Sequence, residues 1–185
     1  EAEKVKKLSL EDKAVKNRIV NEAFTTAIQS SPSPLYSKKF AKRVLLGNFD
    51  DDLVKIADAD WVIEVVVERL DIKKVVFEKV EKFRKEESII SSNTSGIPIE
   101  SMLEGRSEDF QKNFFGTHFF NPPRYLELLE LIPSTKTNPE LVDFMLEYGR
   151  KYLGKKTVLA KDTPAFIANR IGVFSIMSLF HTVKE

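Results

Sequence analysis

The chain has no cysteine and only two histidines among its 185 residues. Disulfides, thiolate zinc sites and a cysteine nucleophile are thereby excluded, and a histidine-rich metal site has too few ligands. Net charge is nearly absent, with 29 Lys and Arg against 28 Asp and Glu. No global field draws the chain to nucleic acid or to an anionic membrane, so any polyanion must be met locally. No run approaches the ~18 apolar residues of a membrane span, and the opening Glu1-Ala2-Glu3-Lys4 is not an apolar leader; the cytoplasm is the expected setting. Glycine is scarce as well. The seven glycines, Gly47, Gly96, Gly105, Gly116, Gly149, Gly154 and Gly172, nowhere form G-x-G, which excludes from these residues the glycine turn that cradles a pyrophosphate.

What is present is 42% apolar content, enough for one core or for a domain with part of a second. Ser9 caps an expected helix from Leu10 to Gln29, in which Ala14, Val15, Ile19, Val20, Ala23, Phe24, Ala27 and Ile28 form one stripe. Pro32 and Pro34 end it. Lys38, Lys39, Lys42 and Arg43 are a solvated face or a phosphate contact. A short strand Val44-Leu45-Leu46 is expected next, then a short helix opened by Asp50-Asp51-Asp52.

Trp61 to Val67 is a β-branched run with little alternation, as in a parallel strand covered on both faces. Glu64 interrupts it and Glu68 closes it, the latter either placed for a ligand or solvated in a loop. Ile72, Val75, Val76, Val80 and Phe83 define a helix, and Ser88 to Ser92 the next strand, followed by the turn Asn93-Thr94-Ser95-Gly96. This alternation implies βαβ units and a parallel sheet. Further strands are expected at Asn113 to Phe120, Leu128 to Ile132 and Thr157 to Ala160. A helix capped by Asn138-Pro139 should present Leu141, Phe144, Met145, Tyr148 and Tyr152 to the core before Gly154 stops it. Asp162-Thr163-Pro164 is read as the cap of a last helix, Ala165 to Val183, apolar nearly all round and therefore destined for a larger body or an interface.

His118 among phenylalanines is either a core residue or a catalyst. Glu130 near the end of the neighbouring strand favours the catalyst, since a carboxylate orients an imidazole and stabilises its protonated form. Ser95, Asn121 and Asn169 taken singly also read as turn or buried amide residues.

Jointly, Asn-Thr-Ser-Gly after one strand, His-Phe-Phe-Asn-Pro at the end of the next, Glu130 twelve residues beyond His118, and Asp162 to Arg170 resemble the 3-hydroxyacyl-CoA dehydrogenase family of fatty-acid β-oxidation. The resemblance implies an α/β, Rossmann-like, mostly parallel sheet flanked by helices, with NAD as cofactor and an acyl-CoA substrate. It implies that His118 takes the 3-hydroxyl proton, that Glu130 holds its tautomer, that Ser95 bonds the reacting oxygen, and that Asn169 binds and polarises the substrate. Glu68, Lys73, Asn93, Ser95 and Asn121 fall where that family meets the ribose and nicotinamide side of the cofactor. Lys39 and Lys42, on local charge alone, are candidates for the CoA phosphates.

By the family pattern the sheet is incomplete on its N-terminal side, residues 1–161 being a partial NAD-binding domain and 162–185 the first helix of a helical domain. In the order 3-2-1-4-5-6 the missing strands would lie between Val44-Leu45-Leu46 and the Trp61 strand. An unpaired Trp61 edge and a bare last helix then predict a homo-oligomer, and this segment by itself is expected to be weakly active or inactive. Two other classes stay open: a non-catalytic interaction module on the same scaffold, and a dehydrogenase of another hydroxy acid.

Overall fold

A computed structural model describes residues 9 and 11–183. Leu10, the expected first helical residue, lies outside them. The N-terminal helix is two pieces, α1 (Lys13–Lys16) and α2 (Arg18–Gln29). Asp12 rather than Ser9 is the cap, its carboxylate accepting from the Ala14 amide at 2.8 Å, because an acid at that place reaches the free amides of the first turn. The apolar stripe of α2 has no buried residue, and Ile19 is exposed.

Two 3-10 turns follow, Lys38–Arg43 and Leu53–Asp58. The expected strand at Val44 to Leu46 is irregular backbone with Leu45 85% exposed. Three apolar residues do not make a strand without a neighbour to pair with. The sheet comprises β1 (Trp61–Glu64), β2 (Ile89–Ser92), β3 (Phe114–Phe119), β4 (Leu128–Pro133) and β5 (Lys156–Leu159), in spatial order β1-β2-β3-β4-β5. All pairs are parallel except β3 with β4. The link 120–127 between those two is too short for a parallel crossover, which takes a dozen or more residues. β1 is shorter than the apolar run implied, because the Val66 amide turns to the Glu64 side chain instead of the ladder.

Alternation along β3 sends Phe114 to one face and Phe115 to the other. Phe114 joins Phe77, Val80, Ile90, Phe110 and Ile132 under α3 (Leu70–Phe83) and α4 (Glu108–Lys112), whereas Phe115, Leu129, Leu131 and Met145 pack under α5 (Pro139–Lys151). Val75 on α3, from the apolar set that defined that helix, is exposed, as are Phe144 on α5 and Tyr152 just past its end, both expected inward. On α5 the contact line is Val142, Met145 and Gly149, and a side chain at Gly149 would come 2.4 Å from Thr157. The glycine row lets the helix settle on β5, which leaves Phe144 and Tyr152 outside while Tyr148 packs at the edge of the core against Trp61.

The last helix, α6 (Ala168–Val183), starts three residues later than expected and buries none of its side chains. Ala165 and Phe166 have φ of 64° and 47°, which a right-handed helix does not admit. That reversal places the Phe166 ring in the core, 2% exposed. Asp162 consequently caps something else: its oxygens accept from the amides of Ile99 at 2.9 Å and Glu100 at 3.0 Å.

Candidate active site

Antiparallel pairing sets His118 directly across from Glu130. Residues opposed in this way project to the same face, and Nδ1 of His118 lies 2.7 Å from Oε2 of Glu130. A carboxylate offers only acceptors, so Nδ1 carries the proton and Nε2 is left with its lone pair. The His118 side chain is 6% exposed and that of Glu130 fully buried. Phe120 and Phe166 flank the ring at 4.4 and 5.7 Å between centroids. Glu130 has a second duty, since its Oε1 accepts from the amides of Ile167 at 3.1 Å and Ala168 at 2.8 Å. This anchors the first turn of α6 and puts Asn169, the next residue, at the same end of the sheet.

A second cluster forms where β1 and β2 end. Oε1 of Glu68 accepts from the Thr94 hydroxyl at 2.6 Å and from the amides of Ser95 and Gly96 at 2.8 and 3.2 Å, fixing the turn and leaving Ser95 exposed. Partial burial pushes the Glu68 carboxyl up, but these hydrogen bonds and the Lys73 charge outweigh it and hold the group below the ordinary Glu value. Lys73 is 1% exposed and bonds both oxygens of Glu64 at 2.9 Å and Oε2 of Glu68 at 3.3 Å. Asn93 ties the clusters together, its Oδ1 accepting from the Phe119 amide at 3.0 Å.

The structure therefore gathers His118, Glu130 and the start of α6 with Asn169, and separately Glu68, Lys73, Asn93 and Ser95. Asn121 is exposed just past β3, on a loop beside Pro32, Pro34 and Arg124. Lys39 and Lys42 are exposed on the first 3-10 turn, and among the described residues no hydrogen bond or ion pair links them to either cluster. Glu64 is a buried carboxylate to which the sequence had assigned no part. Its signal was nevertheless there: Lys73 shares the helical stripe of Phe77 and Val80, so its ammonium faces the core and needs an acid.

Comparison with known proteins identifies the family of the chain. The family model described as 3-hydroxyacyl-CoA dehydrogenase, NAD binding domain, matches residues 4–163. The chain belongs to that family. A probable 3-hydroxyacyl-CoA dehydrogenase of Bacillus subtilis is 49% identical over 183 residues, 99% of this chain and 23% of the relative. One of Deinococcus radiodurans is 48% identical over 176 residues, 95% of this chain and 51% of the relative. The crystal structure of Mycobacterium tuberculosis FadB2 superposes with a TM-score of 0.70 at 28% identity, covering 92% of this chain and 59% of that one. The chain thus spans about a quarter to half of those two curated relatives.

The family implies NAD, and one acceptor at the Glu68 cluster has the capacity to take a hydroxyl of such a group. Three donors converge on Oε1 of Glu68, whereas Oε2 receives only Lys73 and the side chain is 45% exposed. A carboxylate oxygen has two lone pairs, so Oε2 can still accept from a ribose hydroxyl, with the Ser95 hydroxyl open beside it.

Proposed function

We propose that the protein built on this chain oxidises the 3-hydroxyl of a 3-hydroxyacyl-CoA to a 3-oxo group, as a step of fatty-acid β-oxidation. The observation that carries the reading is the 2.7 Å contact of His118 Nδ1 with a fully buried Glu130. When bound, NAD supplies the hydride acceptor. Nε2 of His118 removes the hydroxyl proton as hydride leaves C3, and Glu130 stabilises the imidazolium that results. The Ser95 hydroxyl bonds the reacting oxygen and Asn169 orients the thioester. Phe120 and Phe166 keep water from the imidazole. Lys39 and Lys42 are offered as contacts to the CoA phosphates, on charge and exposure.

The test is reduction of acetoacetyl-CoA by NADH with the full-length protein, and the same with His118→Ala. Turnover that collapses in the variant supports the reading. A wild type without turnover, or a variant that keeps it, overturns it and leaves the interaction-module reading standing.

Residues 1–161 and 162–185 are proposed as two units, on the strength of the irregular segment at Asp162 to Ile167 and of a final helix that buries nothing. Among the described residues no helix is long and apolar enough to cross a membrane, and the cytoplasm is the proposed setting. A homo-oligomer is proposed as well, through the β1 edge, where Ile63, Val65 and Val67 are exposed, or through α6. A monodisperse monomer in size exclusion with light scattering would contradict it.

A further inference from the structure

Glu64 is the one buried residue of β1, 4% exposed in a strand otherwise apolar. Both its oxygens accept from Lys73, Oε1 also takes the Val66 amide, and Oε2 takes the Ser92 hydroxyl at 2.6 Å. A carboxylate so filled has little capacity left for a ligand. Lys73 is closed in the same way, its ammonium shared among Glu64, Glu68 and the Val66 carbonyl at 3.4 Å. Neither group reaches the surface, yet together they stand directly behind Glu68.

We infer that Glu64 is a positioning residue. It fixes Lys73 where the ammonium just reaches Oε2 of Glu68, and so sets Glu68 and the Thr94-Ser95-Gly96 turn bonded to it. In its last step, that this turn faces the cofactor, the inference rests on the proposed function. Two carboxylates share one ammonium here. With Glu64 neutral, Lys73 has Glu68 as its sole counter-ion and swings toward it, filling the oxygen that a ribose hydroxyl would use and pulling the turn out of place.

The experiment compares Glu64→Gln with wild type in the full-length protein. It measures amide hydrogen exchange at Ser95 and Gly96 without cofactor, referenced to the Phe77 amide of the core. It also measures NADH binding by fluorescence, and KM for NAD against kcat. We expect exchange at the turn and KM each to rise roughly tenfold, with kcat changed less than about threefold. Unchanged turn exchange and unchanged KM in a folded Glu64→Gln variant overturn the inference. Should that variant not fold, Glu64→Asp decides: it keeps the charge but draws the carboxylate back from Lys73, and turn exchange equal to wild type overturns the inference. If wild type does not bind NADH, the functional reading fails, while the exchange data still decide the positioning claim.

Discussion

Replacing Glu130 by glutamine separates the two duties of that side chain. A carboxylate serves His118 with one oxygen and the amides of Ile167 and Ala168 with the other. Glutamine has one oxygen and must choose. If the oxygen faces the amides, its NH2 group faces Nδ1, which must then accept, moving the ring proton to Nε2. If it flips, two backbone donors meet an NH2 group, at about 1–3 kcal/mol for each unmet donor. The first arrangement keeps all three bonds and wins. It trades charge-assisted bonds for neutral ones, a loss of about 1 kcal/mol each, so folding stability should fall by roughly 2–4 kcal/mol in denaturant titration. Turnover should fall much further, by roughly 10³–10⁴, because the imidazole lone pair has been taken from the atom facing the substrate. Nitrogen NMR of the ring reads the tautomer independently. A variant that keeps the proton on Nδ1 and retains turnover within tenfold of wild type would refute the assignment of both roles.

Three other expectations follow from single contacts. A methyl at Gly116 would come 2.7 Å from Ile99 and 3.1 Å from Ile132, whereas one at Gly96 meets nothing within 4 Å. Gly116→Ala should therefore cost about 1–3 kcal/mol and Gly96→Ala much less, and equal denaturation midpoints would contradict the packing. Asp162→Ala frees the amides of Ile99 and Glu100 and should cost about 1–2 kcal/mol, with exchange quickening first at those two amides; unaltered exchange there would show that Asp162 does not hold them. Glu68 has its carboxyl held below the ordinary value of 4.5, so the order it gives the Ser95 turn is complete above that value and lost as pH falls through the lower folded one. Turn protection that disappears at pH 5 or 6 would refute this.

Elements with a strong period were legible. The parallel strands at Trp61, Ile89 and Phe114 and the helices from Leu70 and Pro139 all stand close to where apolar spacing put them. Period gives a stripe but not which of two stripes is buried. On α5 the expected stripe of Leu141, Phe144, Met145, Tyr148 and Tyr152 is met at Met145 and partly at Leu141 and Tyr148, but the buried line runs through Val142, Met145 and Gly149, where Thr157 approaches the glycine. His118 with Glu130 could be anticipated because a short antiparallel link makes their register local. The partnership of Asp162 with Ile99 could not, because an Asp before Thr-Pro is a good cap for the helix that follows and nothing nearby records the competing amides.

Asp162 is one case of a construction repeated around the site. Three acids each take two consecutive backbone amides from a distant segment: Glu68 those of Ser95 and Gly96, Asp162 those of Ile99 and Glu100, Glu130 those of Ile167 and Ala168. Loops and helix starts leave backbone amides without ladder partners, and an acceptor side chain that meets them fixes the backbone there. An acid borrowed from elsewhere meets two donors at once and pins the loop. Two of the three also carry a further partner, Lys73 on Glu68 and His118 on Glu130. Loop placement and site electrostatics are therefore linked in this fold, and a change that neutralises one of these carboxylates weakens the bonds that hold its loop along with the charge it presents.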